Sequence, residues 1–113
     1  MDENSIEQYR RRLLEERASL DAEEAGTETD RKPVELDQQS VGRLSRMDAL
    51  QVQAMASAQS RRRTARRAQI TAALKRIDEG EFGWCLECGE PIEPRRLDFD
   101  PASAVCIACA RGT

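Results

Sequence analysis

Histidine is absent from this sequence, and aromatic residues make up only 4% of its 113 positions. Without histidine there is no imidazole to serve as general base, and neither a Ser/His/Asp nor a Cys/His set can be built. The reading is therefore of a protein that is not an enzyme. Four aromatics set against 35% charged residues leave too little for a large globular core. Such a composition suits long solvated helices beside a metal-stapled module, because a metal substitutes for missing core in a small unit. No apolar run approaches the length that crosses a bilayer, and there is no signal-peptide pattern. The expectation is a cytoplasmic protein with no membrane partner. The net charge of −3 is too small to imply bulk binding to nucleic acid.

Cysteine is scarce as well, but all four copies fall in one stretch, as Cys85-Leu-Glu-Cys88 and Cys106-Ile-Ala-Cys109 with 17 residues between the pairs. Two CxxC knuckles at this separation supply four soft ligands for a tetrahedral Zn2+. Gly89 follows the second cysteine, where a knuckle turn calls for a positive φ. The Ala-rich run from Cys106 to Ala110 is predicted to open a short helix, whose positive end favours thiolates. Arg95, Arg96 and Arg111 are close enough in sequence to offset the two excess negative charges of a four-thiolate zinc. Two disulfides, a single iron and a redox-active CxxC are the other readings. Four cysteines close the coordination shell, so the one zinc expected here is structural, since a catalytic zinc keeps an open position.

Charge is unevenly spread. Residues 1–30 hold ten acids and four arginines, whereas residues 49–77 hold seven basic residues and no acid. A helix is predicted from Asn4 to about Ala25, with Ile6, Tyr9, Leu13 and Leu20 near one face and Leu14 beside them. Asn4 or Ser5 would cap it, with Glu7 completing a capping box, and Gly26 would stop it. A second helix is predicted from about Ser45 to Ile77, ending in an apolar stripe of Ile70, Ala73, Leu74 and Ile77 that thins upstream to alanines and Met55. An antiparallel hairpin then sets the acidic helix against the basic one. A turn near residues 30–40 places Ile6 by Ile70–Leu74, Leu20 by Met55, and Glu15 and Glu16 opposite Arg61, Arg62 and Arg63. Phe82 and Trp84 are expected to pack as core between the helices and the cysteine module.

The fold class that follows is mainly α: an antiparallel coiled-coil hairpin over residues 1–79, with its turn within 26–44, on a small four-cysteine zinc-ribbon module at 80–113. The run from Ile77 through Phe82-Gly83-Trp84-Cys85, then CLECGEPI to Ile92, Arg96-Leu97, Pro101 and the CIAC of the second knuckle, resembles the DksA/TraR family of four-cysteine zinc-finger proteins. The resemblance implies a bacterial regulator that binds RNA polymerase directly, without binding DNA; no sequence-specific DNA contact is expected, and the chain is expected to be a monomer. It implies a hairpin entering the secondary channel of the polymerase, where acids at the tip approach the active site. It also implies, for some members, joint action with guanosine tetraphosphate.

The family's tip motif is Asp-x-x-Asp-x-Ala. In the comparable loop this sequence reads Lys32-Pro-Val-Glu35-Leu-Asp37, and Asp48-Ala49 is a second candidate further along. Glu35, Asp37 and Asp48 are thus the candidate partner-binding residues. A different class of function is a nucleic-acid binder using the basic run Arg61–Arg67, although the cysteine module itself is acidic and no aromatic lies beside the arginines. A third is a thiol-based sensor that releases zinc on oxidation.

Overall fold

The structure, a computed structural model, describes residues 1–27 and 43–112. It contains α1 (Glu3–Gly26), α2 (Arg43–Asp78), α3 (Pro94–Phe99) and α4 (Ile107–Ala110). The predicted second helix is thus present with two residues more at its start and one more at its end. The chain forms two compact units: Met1–Ala18 with Arg67–Thr113, and Ser19–Arg66. Both long helices contribute to both units.

The start of α1 corrects the expected cap. Asp2, rather than Asn4 or Ser5, closes the helix, accepting the Ser5 N–H at 2.8 Å on Oδ1. That hydrogen bond holds the Asp2 carboxyl below its ordinary range, as expected for a carboxylate at the positive end of a helix. Glu7 pairs with Arg10 at 3.5 Å. The far end of α2 closes in a Schellman motif: Gly80 N–H donates to the Ile77 carbonyl and Glu81 N–H to that of Arg76. Gly80 takes φ +75 there, a left-handed conformation that glycine adopts without steric cost.

In the first unit the apolar stripe is the core. Leu13, Ile70 and Ala73 have no exposed surface, and Tyr9, Leu74 and Ile77 are buried with them. Their spacing of three and four residues puts each set on one helical face. Arg10 reaches Asp78 at 2.9 Å, so the start of α1 meets the end of α2. Tyr9 spans from this core to the cysteine module. Its ring centroid lies 5.7 Å from that of Phe82, and its hydroxyl donates to Asp98.

Burial, followed by the bond to Asp98, pushes the Tyr9 phenol up to about 12. The folded state therefore favours the protonated form. That contribution is complete below the unfolded value of about 10 and is lost as pH rises from 10 through 12. Denaturant melts should find Tyr9→Phe less stable than wild type at pH 8 by about 2 kcal/mol, with the gap closing by pH 12. An unchanged gap at high pH would contradict the bond to Asp98.

The second unit is held differently. None of its described residues is buried, and Met47, Leu50, Val52 and Met55 are exposed. The helices join here through Glu24, whose carboxylate accepts from Ser60 Oγ at 2.6 Å and Arg63 Nε at 2.8 Å. Arg63 also donates from Nη2 to Thr27 Oγ1 at 2.8 Å. This corrects the expected register. The acid opposite Arg63 is Glu24, not Glu15 or Glu16, and Met55 is 61% exposed rather than packed on Leu20.

The Glu24 and Arg63 side chains are only 22% and 11% exposed, so this pair is shielded more than a surface ion pair. Arg63→Glu should lower stability by about 2 kcal/mol at low salt. Arg62→Glu, at an exposed neighbour, should stay within about 0.5 kcal/mol. Thermal melts at two salt concentrations check this, and equal losses for the two variants would refute the register.

Candidate metal centre

Residues 83–92 fold back on themselves. Ile92 N–H donates to the Gly83 carbonyl and Cys85 N–H to that of Glu90, both at 2.8 Å. Between these bonds lies the isolated antiparallel bridge Trp84–Pro91. Proline fits there because the ladder needs no N–H from that position. There is no regular strand among the described residues, so the ribbon is reduced to this bridge. At the tip of the fold-back, Gly89 N–H donates to the Cys85 carbonyl at 3.0 Å with φ +77, as the knuckle reading required. Cys88 N–H points at Cys85 Sγ from 3.5 Å.

The second knuckle is built on a helix start. Cys106 is the N-cap residue of α4, and Ala110 N–H donates to its carbonyl at 2.9 Å. Three contacts fix this knuckle against the first. Leu86 N–H donates to the Ala104 carbonyl at 2.9 Å. Glu93 Oε2 accepts the Ile107 N–H at 3.3 Å. Arg96 Nε donates to the Val105 carbonyl at 2.7 Å. Arg96, expected from the sequence to offset ligand charge, makes a positioning contact: it holds the backbone just before Cys106. Ile92, Leu97 and Ala102 are buried beneath the knuckles.

These elements bring all four sulfurs within 4.8 Å of one another. Cys88 Sγ and Cys106 Sγ are 3.7 Å apart. That is too long for a disulfide, which needs about 2.05 Å, and all four cysteines are free. A tetrahedron with metal–sulfur bonds near 2.3 Å has edges of roughly 3.8 Å, so the observed separation fits a metal. The thiols also disturb one another. The backbone N–H of Cys88 draws the Cys85 thiol down to about 6, whereas the neighbouring Cys106 and Cys85 sulfurs push the Cys109 thiol up. Four thiolates this close repel each other unless a cation lies among them, and a soft divalent metal meets that need. Cys85 and Cys106 are buried and Cys88 is exposed.

The family model of the prokaryotic DksA/TraR C4-type zinc finger matches residues 80–113. Among solved structures, transcription factor DksA2 from Pseudomonas aeruginosa superposes with a TM-score of 0.79 at 27% identity. That superposition covers 99% of this chain and 84% of that one. Residues 80–113 thus form a module of the DksA/TraR C4 zinc-finger type. Its DksA-like segment is 46% identical over 41 residues to the RNA polymerase-binding transcription factor DksA of Haemophilus influenzae. It is 39% identical over 41 residues to that of Escherichia coli K12. These segments span 28% and 27% of the curated relatives' lengths. The fold is also that of the Chlamydia trachomatis protein Dks, with a TM-score of 0.61 at 20% identity.

Other predicted residues fall elsewhere. Glu35 and Asp37 lie outside the described residues, and Asp48 is exposed on α2. Phe82 is buried as expected, but Trp84 is 49% exposed: it sits across the bridge from Pro91 with one face uncovered. The basic run is partly consumed by the fold. Arg63 is paired with Glu24, Arg66 and Arg67 have partners of their own, and Arg61 and Arg62 are the members left exposed. The contact between Tyr9 and Asp98 escaped the sequence reading, since nothing local links residues 89 positions apart.

Proposed function

We propose that this protein is a transcription regulator that binds RNA polymerase directly and presents its helical hairpin to the polymerase secondary channel. The observation that carries this reading is the four-thiol module, matched to a family whose relatives are named RNA polymerase-binding transcription factors. In this reading one Zn2+ held by Cys85, Cys88, Cys106 and Cys109 is structural. It keeps the module folded under the helices and takes no part in a reaction. The chain acts as a monomer in the cytoplasm, makes no sequence-specific contact with DNA, and has carboxylates of Glu35, Asp37 or Asp48 as its working groups. Guanosine tetraphosphate at the polymerase interface is the nucleotide that would act with it. The partial consumption of the Arg61–Arg67 run by intramolecular partners disfavours nucleic acid as the main target.

Binding to core RNA polymerase and single-round transcription in vitro test this together. Glu35→Gln with Asp37→Asn removes charge while keeping shape. That double variant should bind polymerase within about twofold of wild type but lose its effect on transcription, since a lost charge-assisted contact is worth roughly a tenfold change or more. Asp48→Asn is the alternative if the working carboxylate is on α2. Absence of polymerase binding by the wild type would refute the function. Full activity of all three changed residues would refute the tip mechanism alone.

A further inference from the structure

The first unit holds a cavity of 510 Å³ whose walls include Met1, Ile6, Tyr9, Phe82, Trp84 and Pro91. That size is in the range of ligand grooves. Its floor is closed by the buried rings of Tyr9 and Phe82, while Trp84 and Met1 stand exposed at 49% and 60%. Gly83 is part of the wall, and a Cβ there would lie 3.1 Å from Met1 Cε, so the glycine lets the methionine lie close. With 4% aromatics in the chain, three of the four line this one groove.

The side chains of its wall segments carry acidic charge, with the α-ammonium of Met1 among them and Arg10 and Arg95 following directly in the chain. The three segments that supply the walls, residues 1–9, 80–84 and 90–94, carry Asp2, Glu3, Glu7, Glu81, Glu90 and Glu93 and no lysine or arginine. Asp2, Glu7 and Glu93 have internal partners in Ser5, Arg10 and Ile107. Glu3, Glu81 and Glu90 are exposed. The apolar walls gain by taking up a bulky hydrocarbon or aromatic side chain. The surrounding carboxylates attract flanking cations and repel phosphates, acidic peptides and anionic lipid.

We propose that this groove docks a segment of a partner protein in which a bulky apolar side chain sits between lysines or arginines. The proposal stands apart from the polymerase reading, because it depends only on the groove and its charges. The occupant is a basic, apolar-anchored peptide: the aromatic side chains give it a seat, and the exposed Glu3, Glu81 and Glu90 of the wall segments set its flanks.

Trp84 is the single tryptophan, so its emission reports occupation directly. The probe is an end-blocked hexapeptide with two leucines between two lysines and two arginines, added to the full-length zinc-loaded protein. A saturable blue shift of Trp84 is expected with Kd below about 1 mM at low salt, as for a single-anchor contact, weakening as salt rises. Glu81→Lys with Glu90→Lys should weaken it roughly tenfold or more while zinc content and helicity stay unchanged. The proposal is overturned by no shift at about 1 mM peptide. An equal shift with alanines in place of the leucines, with glutamates as flanks, or with single-stranded RNA overturns it as well. So does sedimentation showing that Trp84 is already covered by a second copy of the chain.

Discussion

Serine in place of Cys88 is expected to strip the module of metal and to unfold residues 80–113. A serine hydroxyl stays protonated near neutral pH and is a poor ligand for a soft site, so three thiolates remain with an open position. The buried apolar side chains of this module are few: Phe82, Ile92, Leu97, Pro101 and Ala102, with Cys85 and Cys106 among them. A core this small does not fold without a staple. Structural zinc sites contribute apparent binding free energies of about 10–16 kcal/mol, and that energy is also folding energy. Elemental analysis should fall from about one zinc per chain to near zero. Near-UV dichroism of Trp84 should vanish with it, while the helices keep most of their far-UV signal. A Cys88→Ser protein that retained its zinc and its near-UV spectrum would refute the structural role, and iron in the wild type would refute the metal.

The second large effect lies in the helical core. Leu13→Ala should destabilise the first unit by about 3 kcal/mol, the usual range for a leucine truncated inside a packed core. Leu13 is fully buried, in the same core as Ile70 and Ala73, and their backbones belong to long helices that cannot collapse far to fill the space. The adjacent Leu14 is 42% exposed, so Leu14→Ala should cost less than about 0.5 kcal/mol. Parallel urea melts of the two variants measure the difference. Similar losses at both positions would mean that α1 is rotated from the orientation described here.

The parts of this protein that were legible from its residues are those decided by local geometry. A CxxC knuckle closes within five residues, from Cys85 to Gly89, and needs only a turn with one positive φ. The clustering of its sulfurs could therefore be read from spacing. The stripe Ile70, Ala73, Leu74 and Ile77 repeats at the period of a helix, and all four are buried. The bounds of the two long helices came within two residues, except that the cap on α1 belongs to Asp2, two positions before the expected start; α3 was not anticipated.

Pairing between distant segments was decided only by the tertiary structure. The acids of α1 and the bases of α2 form blocks, so sliding one helix along the other still leaves opposite charges facing. Composition cannot separate Glu15 or Glu16 from Glu24 as the partner of Arg63, whereas the Glu24 carboxylate meets both Ser60 and Arg63 at once. An aromatic beside a zinc ligand reads as core in either case. Phe82 is buried beside Tyr9, but Trp84 pairs with Pro91 across a single bridge and stays 49% exposed. Residue type and period determine which face of an element is apolar; how far along a partner it sits, and what is left uncovered, depends on contacts that no local pattern encodes.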